Sequence, residues 1–367
     1  MNKIRVAVFY GGRSGEHEVS LQSAASVVQN LDRERFDIVP IGIDKQGHWL
    51  LNDVDQLILE SPAKSLSIQT SKTKALAKGE LANGSGKLFD VVFPVMHGSF
   101  GEDGATQGLL ELMDMAYVGA GVLGSALAMD KDTSKRLVAA AGLPIVPYLT
   151  IKHGAWQNQQ AFYQNKVTQE LGYPVFVKPA NTGSSVGVHK VKTAAELIAA
   201  VEDAFLYDTK ILIEQGVNAR EIELSVLENP NYGEAALVSV PGEIVPQHEF
   251  YSYAAKYLDA SGADLLIPAP LSAEQVKQAQ AMASQIFEIL ECEGMARVDL
   301  FLDKNTNQFV FNEINTIPGF TQISMYPKLW EASGLSYQKL LSCLVDLALA
   351  RHERKQGLKR EWAIVNE

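Results

Sequence analysis

Apolar positions along this chain cluster in a strand, loop, helix rhythm from the start. Residues 4–10 form an apolar strand that runs into Gly11-Gly12-Arg13-Ser14-Gly15, and residues 19–31 follow as a helix. Residues 37–43 and 90–95 repeat the strand pattern, the second delivering His97-Gly98-Ser99-Phe100-Gly101-Glu102-Asp103-Gly104 at its carboxyl end. Strands alternating with helices predict a parallel α/β sheet, whose ligands sit beyond the carboxyl ends of the strands. Residues 44–88, rich in Lys, Ser, Asn and Gly around short apolar pieces, predict an excursion of hairpins and loops instead of another βαβ unit.

A helix over 125–141 is broken by Gly142-Leu143-Pro144, and a second unit alternates strands with helices as far as Glu214. From Glu221 the strands are closely spaced. A helix over 273–290 precedes strands at 295–302 and 308–315, which the five-residue turn Asp303-Lys304-Asn305-Thr306-Asn307 joins as an antiparallel hairpin. This third unit is α+β. Residues 351–367 are polar and predict a peripheral tail, and neither repeats nor low-complexity tracts occur.

Composition narrows the classes. A chain of 367 residues predicts two or three domains, at roughly 100 to 200 residues each. Hydrophobic residues at 47% and charged residues at 20% are those of a globular chain with a real core. A net charge of -11 repels phosphate backbones and anionic lipid, which argues against nucleic acid or membrane partners and confines any bound anion to a local basic pocket. Cys292 and Cys343 sit in apolar stretches, as buried thiols of a reducing compartment do. With no signal-peptide core at the N-terminus and no run of about 18 apolar residues, a cytoplasmic protein is expected.

Two segments carry chemistry. Val175-Phe176-Val177-Lys178-Pro179 is a strand ending in a lysine, and Asn181-Thr182-Gly183-Ser184-Ser185-Val186-Gly187 follows as a small-residue loop. The N–H groups of such a loop point at phosphate oxygens, with hydroxyls and a lysine at hand, and this reading is preferred to a plain flexible hairpin. Further on, Arg297 and Asp299 share one strand face by parity, as do Glu313 and Asn315 on the next strand. Polar groups set between Val298, Leu300, Val310 and Ile314 are poorly explained as a solvated hairpin. Their oxygens suit Mg²⁺ bridging nucleotide phosphates.

Gly119-Ala120-Gly121-Val122-Leu123-Gly124 matches the dinucleotide fingerprint, so a nicotinamide oxidoreductase is the rival class. The acidic residue expected about 20 residues on is missing, and these glycines read as a tight turn. Gly84-Ser85-Gly86-Lys87 resembles part of a P-loop, but Leu81 and Leu88 occupy two of its required positions, so a turn is preferred. From the bare residues, His97 is open between a substrate contact and a structural one. Glu16 is open between a site residue and a helix-start acid.

Taken together the segments resemble the D-alanine:D-alanine ligases over nearly the whole chain. The resemblance lies in Gly15-Glu16-His17-Glu18-Val19-Ser20, His97-Gly98 with Gly101-Glu102-Asp103-Gly104, Met129-Asp130-Lys131, Lys178-Pro179 with Gly183-Ser184-Ser185-Val186-Gly187, Tyr253-Ala254-Ala255-Lys256-Tyr257, Arg297-Val298-Asp299 and Glu313-Ile314-Asn315-Thr316-Ile317-Pro318-Gly319. It implies an ATP-grasp architecture with an N-terminal parallel α/β domain over 1–123 on the substrate side. A central domain over 124–215 and a C-terminal domain over 216–367 would hold ATP between them. Lys131 and Lys178 would meet the nucleotide's phosphates, Glu214, Val217 and Glu221 its adenine and ribose, and Ser185 and Lys256 would also bind the nucleotide. Asp299, Glu313 and Asn315 would hold two Mg²⁺ or Mn²⁺ ions.

The same resemblance implies a reaction in which ATP phosphorylates one D-alanine and a second attacks the acyl-phosphate. Arg297 and the N–H of Gly319 would hold the oxyanion. Residues 250–260 would close as a lid, Tyr257 meeting Glu16 and Ser184, and that tyrosine favours D-alanine over D-lactate. His97, Ser324 and Met325 would contact substrate, and a homodimer is implied. A nucleotide-binding sensor without catalysis is disfavoured because Glu16, Ser184, Tyr257 and Arg297 are all retained.

Overall fold

A computed structural model describes residues 3–52, 74–76, 88–246 and 263–360. The first apolar run is β1 (Ile4–Gly11), buried from Val6 onward. Its parity serves two cores. Val6, Val8 and Tyr10 pack with Ala24, Val27 and Val28 of α1 (His17–Asn30), whereas Ala7 and Phe9 face Trp49, Phe89 and Met115. Burial on both faces is why this strand is continuously apolar.

The chain continues through β2 (Phe36–Ile43), β3 (Trp49–Leu51), β4 (Lys74–Leu76), β5 (Val91–Pro94), α2 (Ala105–Leu112) and β6 (Ala116–Tyr117). The sheet order is β4-β3-β2-β1-β5-β6, parallel from β2 to β6, with β3 and β4 added antiparallel at one edge as a hairpin excursion would add them. Most of 44–88, including Gly84 to Lys87, lies outside the described residues. Because β2 and β5 flank β1, the loops after β1 and β5 open at one switch point, and they carry Glu16 and His97.

Where the sequence predicts one helix over 125–141, two occur: α3 (Val122–Met129) and α4 (Lys131–Ala140). Asp130 separates them with extended backbone, its carboxylate accepting from the Thr133 N–H at 2.8 Å. Aspartate's advantage as an N-cap outweighs the apolar periodicity there. Just before, Gly119 takes φ +93°, and a Cβ on Gly124 would overlap the Glu291 carbonyl, so these glycines serve a turn and a close backbone approach. The cavity beside them, about 770 Å³, is lined by Glu228, Glu234, Glu288, Glu291 and Glu293, which would repel a dinucleotide's pyrophosphate.

The central unit contains β7 (Tyr148–Lys152), α5 (His153–Glu170), β8 (Val175–Pro179), β9 (His189–Val191), α6 (Leu197–Ala204) and β10 (Lys210–Gln215). Its sheet, β7-β10-β8-β9, is antiparallel, and Trp156, Val167, Leu197 and Val201 cover the face formed by Ile151, Val175, Val177, Ile211 and Ile213.

A third sheet is built from β11 (Ala219–Leu227), β12 (Leu237–Val238), β13 (Gly242–Pro246), β14 (Ala263–Leu266), β15 (Met295–Asp303) and β16 (Phe309–Asn315). α7 (Ala273–Ile289) starts at a Ser272–Gln275 capping box and lays Ala279, Met282 and Ile286 on Ile222, Leu224 and Val298. β15 and β16 form the expected hairpin, with a bulge between Asp299 and Leu300.

After α8 (Met325–Ala332), α9 (Tyr337–Gln356) packs Leu340, Leu341, Leu344 and Val345 with Val6, Val8 and Val27, so the last helix returns to the N-terminal sheet. The expectation of a peripheral tail over 351–367 is therefore corrected for 351–356, which are the end of this helix, while 361–367 lie outside the described residues. Arg351 is only 5% exposed and donates to the carbonyls of Tyr117 at 2.7 Å and Gly119 at 2.6 Å. A guanidinium buries readily where carbonyls use its N–H groups, which the polar composition of this segment hid.

Candidate active site

Lys178 stands at the end of β8 with Nζ 2.6 Å from Glu214 Oε2, on neighbouring β10. Burial works against both charges. Neighbouring charge outweighs it: Glu214 lifts Lys178 above the ordinary lysine range, and Lys135 and then Lys178 hold Glu214 below the usual carboxylate range. From α4, Lys131 Nζ donates to the Thr182 carbonyl at 2.6 Å and lies 3.7 Å from Glu313 Oε2 of β16. Four positions on, Lys135 reaches Glu214 Oε1 at 3.2 Å. Lys135 was missed in the sequence, although the i, i+4 spacing from Lys131 places both lysines on one helix face.

Between these cations runs the loop that follows Lys178-Pro179. Ser184 and Ser185 adopt φ of 48° and 61°, left-handed values that side chains other than glycine rarely take, each at a cost of about 1–3 kcal/mol. Such conformations persist where surrounding contacts fix them. Val217 is half-buried in the link from β10 to β11, and Glu221 of β11 lies near enough to raise Lys178 further.

Across from the lysines, β15 and β16 bring their polar positions together. Arg297 pairs with Asn315 and Asp299 with Glu313 in the strand register. The Arg297 guanidinium grips Asp299 with two bonds, 2.7 Å to Oδ1 and 2.6 Å to Oδ2, and its Nε lies 3.2 Å from Glu223 Oε2. Burial opposes its charge, but Asp299 and Glu223 raise it well above its ordinary range. Asn315 Nδ2 adds a bond to Asp299 Oδ2 at 3.2 Å. Glu223 is a further acid that sequence reading passed over, although it sits opposite Asp299 in register and two positions from Glu221.

Among the described residues no cluster of three or more His, Cys, Asp or Glu stands ready for a metal. The donor chemistry nevertheless fits a hard cation: carboxylates of Asp299 and Glu313 and the amide oxygen of Asn315, on adjacent strands. Mg²⁺ takes one or two carboxylates and completes its shell with water and phosphate oxygens, so it needs no all-protein cage.

The third corner lies at the switch point of the N-terminal sheet. Glu16, 6% exposed, accepts a hydrogen bond from the Ser184 hydroxyl, and a Cβ on Gly183 or Gly98 would stand 2.5 or 2.6 Å from its Oε2. Both glycines are needed for room. Ser14 bonds the His97 carbonyl at 2.8 Å and accepts from the Glu16 N–H at 3.2 Å, which ties the two loops together.

His97 uses both ring nitrogens on protein partners. Nδ1 lies 2.9 Å from the Ile317 carbonyl and Nε2 3.0 Å from Ser23 Oγ, which fixes the Nδ1–H tautomer. Burial holds this ring below the ordinary histidine range. Glu102 grips the other side of the same residue, accepting from the Ile317 N–H at 3.3 Å and from the Gly98 N–H at 2.8 Å. Burial, with the Glu16 charge, pushes Glu102 up to about 8. Glu102 belongs to a motif singled out in the sequence but had no assigned role.

Past Ile317, a Cβ on Gly319 would stand 2.7 Å from Ser324 Oγ. Ser324 is the residue before α8, without a side-chain bond to the helix, and its hydroxyl accepts from the Thr321 N–H at 3.0 Å. The Met325 side chain packs with Ile244 and Leu329, leaving only its backbone for a polar contact. Lys256 and Tyr257, with the rest of 250–260, lie outside the described residues. Cys292 and Cys343 are free thiols, and burial pushes that of Cys343 up to about 11.

Comparison with known proteins matches this arrangement. Residues 5–120 match the family model described as D-ala D-ala ligase N-terminus, and residues 137–346 match that described as D-ala D-ala ligase C-terminus. The chain is 52% identical to D-alanine--D-alanine ligase A of Bradyrhizobium diazoefficiens, over 99% of each chain. Its fold resembles the D-alanine-D-alanine ligase from Coxiella burnetii, with TM-score 0.79 and 39% identity over 97% of each chain. It also resembles the VanG D-Ala:D-Ser ligase from Enterococcus faecalis, with TM-score 0.78 and 35% identity over 95% of this chain and all of that one (100%). The architecture is that of the ATP-grasp fold.

Proposed function

The chain belongs to the D-alanine–D-alanine ligase family, and from that premise we propose how its residues divide the ATP-dependent joining of two D-alanines for peptidoglycan synthesis. The observation that carries the reading is the meeting of Lys131 Nζ with Glu313 Oε2 at 3.7 Å and with the Thr182 carbonyl at 2.6 Å, which gathers α4, β16 and the loop after β8 at one place. In this reading a lysine that binds phosphate and an acid that binds a metal stand side by side. A triphosphate arriving there would meet Lys131, Lys178 and the 183–187 loop, with Asp299, Glu313 and Asn315 next to them. Glu214, Val217 and Glu221 would face adenine and ribose.

Two Mg²⁺ or Mn²⁺ ions held by Asp299, Glu313 and Asn315 would neutralise the charge of the transferring phosphoryl group. The protein's own residues do the rest. Glu16, kept in place by Ser184, Gly98 and Gly183, is positioned for the ammonium of the first D-alanine. The carboxylate oxygen of that D-alanine attacks the γ-phosphorus, the bond to ADP breaks, and the carboxylate becomes an acyl-phosphate with a leaving group.

The neutral amine of the second D-alanine then attacks the carbonyl carbon. Arg297 and the Gly319 N–H donate to the oxyanion of the tetrahedral species, each donor being worth about 3 kcal/mol. Collapse expels phosphate, the proton shed by the nitrogen passes to that phosphate, and D-alanyl-D-alanine remains. Ser324 and the N-terminus of α8 offer the second carboxylate a place, since helix N-termini favour anions. Tyr257 and Lys256 belong to the reading as lid residues. His97, with both nitrogens engaged, is assigned to holding the 316–320 segment.

A homodimer and a cytoplasmic setting complete the proposal, supported by the family and by the free cysteines. Among the described residues no helix is long and apolar enough to cross a membrane. The resemblance to a D-Ala:D-Ser ligase makes the second substrate the point to test. With D-alanine, D-serine and D-lactate in competition, mass analysis is expected to find D-alanyl-D-alanine as the main product. A main product ending in D-serine or D-lactate would overturn that assignment.

A further inference from the structure

Glu214 is a buried carboxylate shared by two lysines, and the two differ in their surroundings. The Lys178 side chain is 14% exposed and lies at the end of β8 beside the 183–187 loop. Lys135 is fully enclosed at 0%, with Nζ 3.4 Å from the Phe311 carbonyl and 5.6 Å from the centre of the Phe311 ring. Lys178 thus keeps part of its side chain open to an arriving phosphate. Lys135 keeps none.

With Lys178 as its one partner, Glu214 would be left as an unpaired buried carboxylate whenever that lysine turned away, and such a state is strongly disfavoured. Lys135 removes the obstacle by keeping a cation on Oε1. Burial lowers its affinity for the proton, Glu214 raises it and the neighbouring Lys178 charge lowers it again. Departure of Lys178 therefore strengthens the hold of Lys135 on its proton at the moment it is needed.

We propose that Lys135 is a positioning residue for the nucleotide, keeping Glu214 compensated so that Lys178 is released to the phosphates. The proposal rests on Lys178 being a phosphate ligand, as argued above. It differs from a packing role in one respect: its effect vanishes when Glu214 carries no charge.

A double-mutant cycle read through the KM for ATP tests it, with the KM for D-alanine as internal reference. Lys178→Met is expected to raise the ATP KM about tenfold or more. Lys135→Met is expected to raise it about tenfold in the native background but less than about twofold beside Glu214→Gln, with D-alanine KM little changed in both. An equal cost of Lys135→Met in the two backgrounds overturns the proposal and leaves the nucleotide reading standing. An unchanged ATP KM in Lys178→Met overturns that reading, and the proposal with it. If Lys135→Met alone does not fold, the paired variant is expected to restore folded enzyme, and its failure to do so contradicts the proposal.

Discussion

Glu16 and Ser184, 168 positions apart in the chain, are joined by a hydrogen bond from the serine hydroxyl to Glu16 Oε1. The bond ties the first loop of the N-terminal sheet to the loop that follows Lys178-Pro179. In the proposed reading, an amino acid held by Glu16 would thereby lie beside the phosphates that the second loop would attract. Alignment of this kind contributes about 7–11 kcal/mol to a two-reactant step.

Gly183→Ala tests that tie. The new Cβ would lie 2.5 Å from Glu16 Oε2, so the carboxylate must move and its bond from Ser184 is lost. A hydrogen bond to a charged group is worth about 1.5–3 kcal/mol, so kcat/KM for D-alanine is expected to fall about tenfold or more. Steady-state kinetics with unchanged kcat/KM would show that Glu16 does not need its present place.

Arg297→Ala removes the proposed oxyanion donor and the guanidinium that grips Asp299 together. Turnover is expected to fall about a hundredfold or more while ATP still binds. Calorimetric titration of ATP alongside the rate assay separates the two effects, and an undiminished kcat takes Arg297 out of the oxyanion role.

Glu102 gives a pH signature. Burial, and then Glu16, push it up to about 8, against 4.5 for an ordinary glutamate. Over that window the folded protein holds a proton that the unfolded chain has released, so stability declines as pH rises from about 4.5 to about 8. Glu102→Gln abolishes the titration. The melting temperature of the native protein relative to the variant is expected to drop across this range, and parallel curves from pH 5 to 9 would contradict it.

What the sequence made legible followed from local rules. Strand parity was enough to bring Arg297, Asp299, Glu313 and Asn315 together, because side chains repeat every second residue and the hairpin has a short turn. Contacts between distant segments escaped such reading. The hold of Glu102 and His97 on Ile317 spans 215 and 220 positions, and nothing near His97 announces it. Asp130 was read as helix interior because apolar spacing continues through it, while its capping bond is a matter of backbone geometry. Arg351 looked solvated because the carbonyls that bury it belong to residues 232 and 234 positions away. The left-handed turn at Ser184 and Ser185 carries no sequence mark, since glycine is the usual residue there.

Isotope transfer tests most directly whether this chain activates D-alanine by phosphorylating its carboxylate. D-alanine labelled with ¹⁸O in both carboxylate oxygens would be converted with ATP and Mg²⁺, and the phosphate and dipeptide analysed by mass. One labelled oxygen is predicted in each phosphate released, in step with one D-alanyl-D-alanine formed. Unlabelled phosphate, or phosphate released without dipeptide, would contradict the account.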